Sequence, residues 1–195
     1  VALTFDDGPS PTETPAMLDR LDELGLRASF FCTGTNVEAY PELVAEIIGR
    51  GHCVGTHGYT HGHHLLHGPR WAADQVARSV DALGAAGAVP RWYRPPYGQL
   101  SGPSALAARR SGLAVVLWSV WGREWTSATP EEVAARVISG LAPGAIVLLH
   151  DSDSSSPPGS AAKGRAALGP IAEGLHRHGL STATLDQLMS PLTDV

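Results

Sequence analysis

Long apolar runs are missing from this sequence. No stretch approaches the roughly 20 residues needed to cross a bilayer, so no membrane-spanning segment is expected. Cysteine is scarce: the chain has two, too few for a disulfide framework. Their settings, Phe30-Phe31-Cys32 and His52-Cys53-Val54, read as buried strands carrying free thiols. A basic excess is also absent. Fourteen Lys and Arg face nineteen Asp and Glu, a formal net charge of −5, which offers no footprint for nucleic acid. Charged residues make up 17% against 43% hydrophobic, the balance of a globular chain rather than a disordered one. No internal repeat is visible. An initiator Met and a signal peptide are lacking before the apolar run at Val1, so the chain reads as a trimmed or processed piece of a longer precursor. Its 195 residues suit one domain, 1–195, with a single core, and a monomer is expected.

Histidine is what the sequence has in excess. There are nine, and five (57, 61, 63, 64 and 67) fall within one short segment. Around them, short apolar runs alternate with helical patterns. Strands are expected at 1–5, 28–32, 53–56, 92–93, 113–118, 146–149 and 180–183. Helices are expected after Thr14 (as cap, with Pro15 in the first turn), after Pro41, over 69–83, after the capping-box pattern Thr129-Pro130-Glu131-Glu132, and over 165–177. Residues Ser152 to Gly164 read as a long loop, of a length that is usually functional or mobile. Regular strand–helix alternation implies right-handed crossovers and parallel strands. The expected fold is α/β, a distorted and incomplete (β/α) barrel of about seven units. An open doubly wound sheet is the alternative.

In such folds chemistry gathers where strands end, and the unusual polar residues respect that rhythm. Asp6-Asp7-Gly8-Pro9 follows the first strand, and His57 and His61 follow the third. Arg94-Pro95-Pro96-Tyr97-Gly98 comes after the fourth, Glu124 and Trp125 after the fifth, and His150-Asp151 ends the sixth. Two imidazoles four residues apart, with a carboxylate from another strand, can hold one face of a metal and leave positions open for water and substrate. Adjacent Asp6 and Asp7 can divide the work, one binding metal and the other free as a base. His63, His64 and His67 read instead as surface histidines on a solvated loop.

Taken together, these residues resemble the polysaccharide deacetylase (NodB-like, chitin deacetylase) family of carbohydrate esterases. Thr4-Phe5-Asp6-Asp7-Gly8-Pro9, His57-Gly58-Tyr59-Thr60-His61, Arg94-Pro95-Pro96-Tyr97-Gly98 and Ile146-Val147-Leu148-Leu149-His150-Asp151 match its ordered motifs. The resemblance implies a metal-dependent hydrolase that removes acetyl groups from a carbohydrate, either an N-acetyl amino sugar of a chitin- or peptidoglycan-like glycan or an O-acetyl ester such as acetylated xylan. It implies one divalent ion, zinc before cobalt or another, on Asp7, His57 and His61. Asp6 would be the general base, Arg94 its holder and His150 the general acid. Leu148 would line the acetyl-methyl pocket, and the Tyr97 backbone N–H would help stabilise the oxyanion. A secreted or cell-envelope location goes with such substrates.

Two motifs depart from the family pattern. Gly58 replaces a Ser or Thr whose hydroxyl would steady the His loop. Trp121-Gly122-Arg123-Glu124-Trp125 replaces D-x-x-D-W. Glu124 is placed to orient Arg94 or His150, and Trp121 with Trp125 reads either as an aromatic wall for a sugar face or as core. Competing functions are an iron oxygenase, which leaves Asp6, Arg94 and His150 without a task; a glycan-binding module of the same fold that has lost turnover; and an amidase on a small non-sugar amide.

Overall fold

A computed structural model describes residues 1–126 and 128–189. Seven strands form one sheet: β1 (Ala2–Asp6), β2 (Ala28–Cys32), β3 (Cys53–Thr56), β4 (Trp92–Tyr93), β5 (Ala114–Val115), β6 (Val120–Trp121) and β7 (Ile146–His150). The order is β5-β4-β3-β2-β1-β7-β6, and every pairing is parallel. The two outermost strands are not paired to each other, so the sheet curls into an incomplete barrel, as the alternation of elements led us to expect.

The central strands read as near-continuous apolar runs because both faces are covered. Side chains alternate across β1. Leu3 and Phe5 point outward to a helical layer that includes Met17, Leu18, Leu21, Ile47, Val137 and Ile171, all fully buried. Burying each such side chain contributes roughly 1.5–3 kcal/mol. The intervening Thr4 and Asp6 belong to the other face, turned into the barrel. The β1–β7 register sets Asp6 directly opposite His150 and Thr4 opposite Leu148. Sheet register alone therefore brings two of the candidate site residues together.

The helices are α1 (Glu13–Glu23), α2 (Gly34–Ala39), α3 (Pro41–Gly49), α4 (Pro69–Ala85), α5 (Gly102–Arg110), α6 (Pro130–Ser139), α7 (Ser160–Arg177) and α8 (Leu185–Met189). The capping box at α6 forms as expected: Thr129 Oγ1 accepts from Glu132 N–H, and Glu132 Oε2 accepts from Thr129 N–H. Elsewhere the boundaries move. Thr14 is not the cap of α1, which starts one residue earlier; its hydroxyl accepts from Ser10 N–H and donates to Asp151. Helix α7 starts five residues before the expected 165, which shortens the loop after β7 to 151–159. The expected strand 113–118 reduces to the two residues of β5. Residues 180–183 are not a strand, although Ala183 N–H donates to Val1 O. Both cysteines are buried free thiols, as expected. No helix among the described residues is long and apolar enough to cross a membrane.

Candidate active site

The strand ends converge on a cleft of about 260 Å³, lined in part by Asp6, His57, His61, Tyr97, Leu148 and His150. Asp7 turns out of β1 with φ +77°, a conformation that a non-glycine residue holds only when its surroundings fix it. Three contacts do so. Asn36 Nδ2 donates to the Asp7 carbonyl at 2.8 Å and Ser154 Oγ to the same oxygen at 3.3 Å. Ser155 Oγ donates to the side-chain Oδ2. Gly8 must follow, because a Cβ there would lie 2.2 Å from Asp151 Oδ2.

Those contacts leave Asp7 Oδ1 as a buried carboxylate oxygen without a hydrogen bond. His57 Nε2 lies 3.4 Å from it and His61 Nε2 3.3 Å. The Nδ1 of His57 is 2.8 Å from the Arg94 carbonyl. A carbonyl has no proton to give, so Nδ1 carries a hydrogen and Nε2 is the ring nitrogen that faces Asp7. Burial pushes the His61 imidazole down to about 4, against the pull of Asp7, which keeps it neutral at neutral pH. Asp7 is lowered overall: burial raises it, but the charges of His150, His57 and His61 and the Ser155 hydrogen bond outweigh that.

The donor set fits a cation. An uncompensated buried carboxylate oxygen is costly, and the three ligand atoms lie within 4.8 Å of one another. Tetrahedral bonds of about 2.0–2.2 Å to N and O donors separate neighbouring donors by about 3.3–3.6 Å, which matches the two Asp7–His distances.

Asp6 is held differently. Arg94 is fully buried inside the barrel. Its Nη1 donates to Asp6 Oδ1 and to Thr4 Oγ1, each at 2.7 Å. Its Nε and Nη2 donate at 3.2 Å to the carbonyls of Val116 and Leu117, just after β5. Arg94 thus ties β1 across the interior toward the open edge of the barrel, and its guanidinium stacks 4.1 Å over Phe31. Asp6 Oδ2 is left facing His57 Nε2 at 3.7 Å.

His150 completes the far side. Its Nδ1 is 2.8 Å from Glu124 Oε1, and its Nε2 lies 3.9 Å from Asp7 Oδ2. Burial would lower this imidazole, but the hydrogen bond and charge of Glu124, with Asp7 and Asp6 behind, push it up to about 9. Glu124 therefore orients His150 and not Arg94. Trp125 packs edge-on to the His150 ring at 5.3 Å. Trp121 is 42% exposed, and it lines the cleft with Trp118 and Trp125. Trp121 is therefore not a core residue.

The histidine segment divides. His61 is a ligand candidate, but His64 is buried rather than on the surface. It lies edge-on to Trp71, and burial pushes it down to about 4. His63 stacks flat on Tyr97, with ring centroids 3.8 Å apart, and His67 stacks on Trp71. The loop that carries Gly58 is fastened two residues later: Gln75 Oε1, on α4, accepts from both Thr60 N–H and Thr60 Oγ1 at 2.7 Å. The carbonyls of Gly58 and Tyr59 also accept from the backbone N–H groups of Gly34 and Thr35.

Sequence reasoning missed Ser155, Asn36, Gln75 and Trp118. Only Ser155 left a trace, as part of a loop long enough to suggest a task. No local pattern marks which loop serine meets a strand end some 150 residues away.

A profile of the family described as Polysaccharide deacetylase matches residues 1–116. The chain is 39% identical over 161 residues to a chitooligosaccharide deacetylase from a Bradyrhizobium species, covering 82% of this chain and 72% of that one. It is 33% identical over 153 residues to a peptidoglycan-N-acetylglucosamine deacetylase of Bacillus cereus, covering 78% of this chain. Only 56% of the Bacillus protein is spanned. A family 4 acetyl xylan esterase from Clostridium thermocellum, solved with a cobalt ion, superposes with a TM-score of 0.87 at 29% identity, over 96% of this chain and 88% of that one.

Proposed function

The chain belongs to the polysaccharide deacetylase family, and from that premise we propose that it is a metal-dependent hydrolase removing acetyl groups from an N-acetylated amino sugar of a glycan. The observation that carries this reading is the pairing of the Asp7–His57–His61 donor set with two acid–base groups, Asp6 and His150, set opposite each other by sheet register. When bound, a divalent cation polarises the acetyl carbonyl and acidifies water; zinc suits the two-imidazole, one-carboxylate set, and cobalt is the next expectation.

The protein's own groups supply the remaining chemistry. Asp6, anchored through Oδ1 by Arg94, keeps Oδ2 free to take the proton of the attacking water. His150 enters the reaction protonated and gives its Nε2 proton to the departing nitrogen, while Glu124 holds the imidazolium by Nδ1. A base and an acid on opposite sides of one carbonyl must differ in protonation at one pH; Glu124 keeps His150 protonated, and Arg94 fixes the position of the Asp6 carboxylate. Buried Leu148 forms the apolar wall for the acetyl methyl, and the backbone N–H of Tyr97 is the donor we assign to the developing oxyanion. Trp125 steadies His150 and closes the substrate side. Such an enzyme works where its polymer is, so a secreted or envelope location belongs to the same proposal.

The test is acetate release from acetylated glycans by protein stripped of metal and then reloaded with zinc. Release that vanishes on stripping and returns with zinc supports the reading. Release indifferent to chelation removes it, and release from small amides but no glycan favours the amidase alternative.

A further inference from the structure

Trp121 divides two hollows. One side of it belongs to the catalytic cleft, together with Trp118 and Trp125; the other lines a second hollow with Arg123 and Arg136. The three indoles form a continuous wall, with centroids 6.0 Å (118 to 121) and 5.6 Å (121 to 125) apart. The Arg123 guanidinium lies 5.2 Å from the Trp121 ring. Its backbone holds φ +58°, pinned by Thr126, whose N–H and hydroxyl both donate to the Arg123 carbonyl. Arg136 reaches in from α6, with Nη1 donating to the Gly122 carbonyl at 3.3 Å.

Neither guanidinium has a carboxylate within 4.0 Å among the described residues. The nearest acids in sequence are engaged elsewhere: Glu124 turns inward to His150, and Glu132 caps its own helix. Two cations bordering one hollow repel each other, and no carboxylate among the described residues pairs with either one. A bound anion would, and guanidinium is the side chain best suited to grip a carboxylate.

We propose that this second hollow is a subsite for a carboxylate carried by the sugar unit next to the acetylated one. The Trp121 ring lies under that sugar, and Arg123 and Arg136 take the acid. The subsite deepens the deacetylase reading and rests on it. It makes the enzyme selective for acidic glycans over neutral ones, and it gives a physical role to the exchange of an Asp for Trp121. An acidic residue at that position would repel the same substituent.

The experiment compares the zinc-loaded protein on two oligosaccharides of equal length. One consists of N-acetylglucosamine alone; the other alternates it with N-acetylmuramic acid, with and without an attached peptide. Calorimetric binding and acetate release are both read. At low ionic strength the acidic glycan binds about tenfold tighter, and added salt closes the gap, as screening requires. The double variant Arg123→Glu/Arg136→Glu abolishes the preference, whereas Arg109→Glu, an exposed charge reversal on α5, keeps it. Tightening by the bare muramic oligosaccharide assigns the carboxylate to the sugar substituent; tightening only with the peptide assigns it to the peptide. Equal binding of neutral and acidic glycans, or a preference that survives the double variant, overturns the subsite. Charge-dependent binding without acetate release would keep the subsite and remove the deacetylase reading, and acetate release with equal affinities would do the reverse.

Discussion

Replacing Glu124 by Gln should move the pH dependence of the reaction more than its maximum. The amide is nearly isosteric, and its oxygen can still accept from His150 Nδ1, where the carboxylate now sits at 2.8 Å. What disappears is the charge. His150 is pushed up to about 9 from an ordinary value of 6.5, against a burial that alone would lower it. Without Glu124, burial is opposed only by Asp7 and Asp6, and a cation on Asp7 offsets part of even that. The imidazole should then fall back toward its ordinary 6.5 or lower. At pH 8 an acid with pKa about 9 is roughly 90% protonated and one at about 6.5 only roughly 3%, so activity there drops at least about thirtyfold, with far less change near pH 5.5. The assay is a pH–rate profile of the zinc-loaded enzyme and variant, with metal content measured alongside. A second readout needs no turnover. Because the folded value lies above the unfolded one, His150 stabilises the metal-free fold fully below pH 6.5, and that stability is lost as pH rises through 9. The gap is worth roughly 3 kcal/mol at about 1.36 kcal/mol per pH unit, and the variant should lack it. Coincident alkaline limbs in the two rate profiles, with activity lowered evenly at all pH values, would refute the assignment and leave Glu124 a packing residue.

The other predictions concern single residues. Asp6→Asn should retain zinc yet lose about 10²–10⁴-fold in acetate release; undiminished release with metal bound would take the base role from Asp6. Ser155→Ala should weaken zinc about tenfold in chelator competition, the usual size of an outer-partner effect, and an unaltered affinity would mean that Asp7 is held by its backbone contacts alone. Gly58→Ala has room, with nothing nearer its Cβ than the Thr60 carbonyl at 3.4 Å, but the backbone holds φ +83°. It should cost about 1–2 kcal/mol and lower Tm by a few degrees, and an unchanged Tm would show the loop relaxing.

Much of this site is legible in the sequence because parallel strands turn order along the chain into order in space. Asp6, His57, Arg94 and His150 all follow or end strands, and each strand end opens on the same cleft. The elements that escaped notice lack that signature. Helix α5, Gly102–Arg110, has Leu106 as its only large apolar residue, and that side chain is exposed, so no apolar stripe announces it. Strand β6 is two residues long, below what alternation can register. A run of histidines after a glycine looks solvated, but Trp71 and Tyr93 pack against His64 from α4 and β4, and the Tyr93 contact comes from a strand 29 residues away.

The departures from the family pattern are not independent of one another. A Glu at 124 reaches one methylene farther than the usual Asp, and the structure gives it that room with glycines. A Cβ at Gly122 would lie 3.0 Å from Glu124 Oε2, and one at Gly164 would touch its Cγ at 3.7 Å. Gly122 is required twice over, since the same Cβ would also meet Leu149 Cδ2 at 2.6 Å. Its carbonyl in turn receives Arg136, one of the two cations beside Trp121. The loop that lacks a hydroxyl at Gly58 is gripped two residues later by Gln75. Gln75 fixes Thr60, the residue before His61, and Glu124 fixes His150, so at these two departures the loop and the imidazole each keep a buried polar partner.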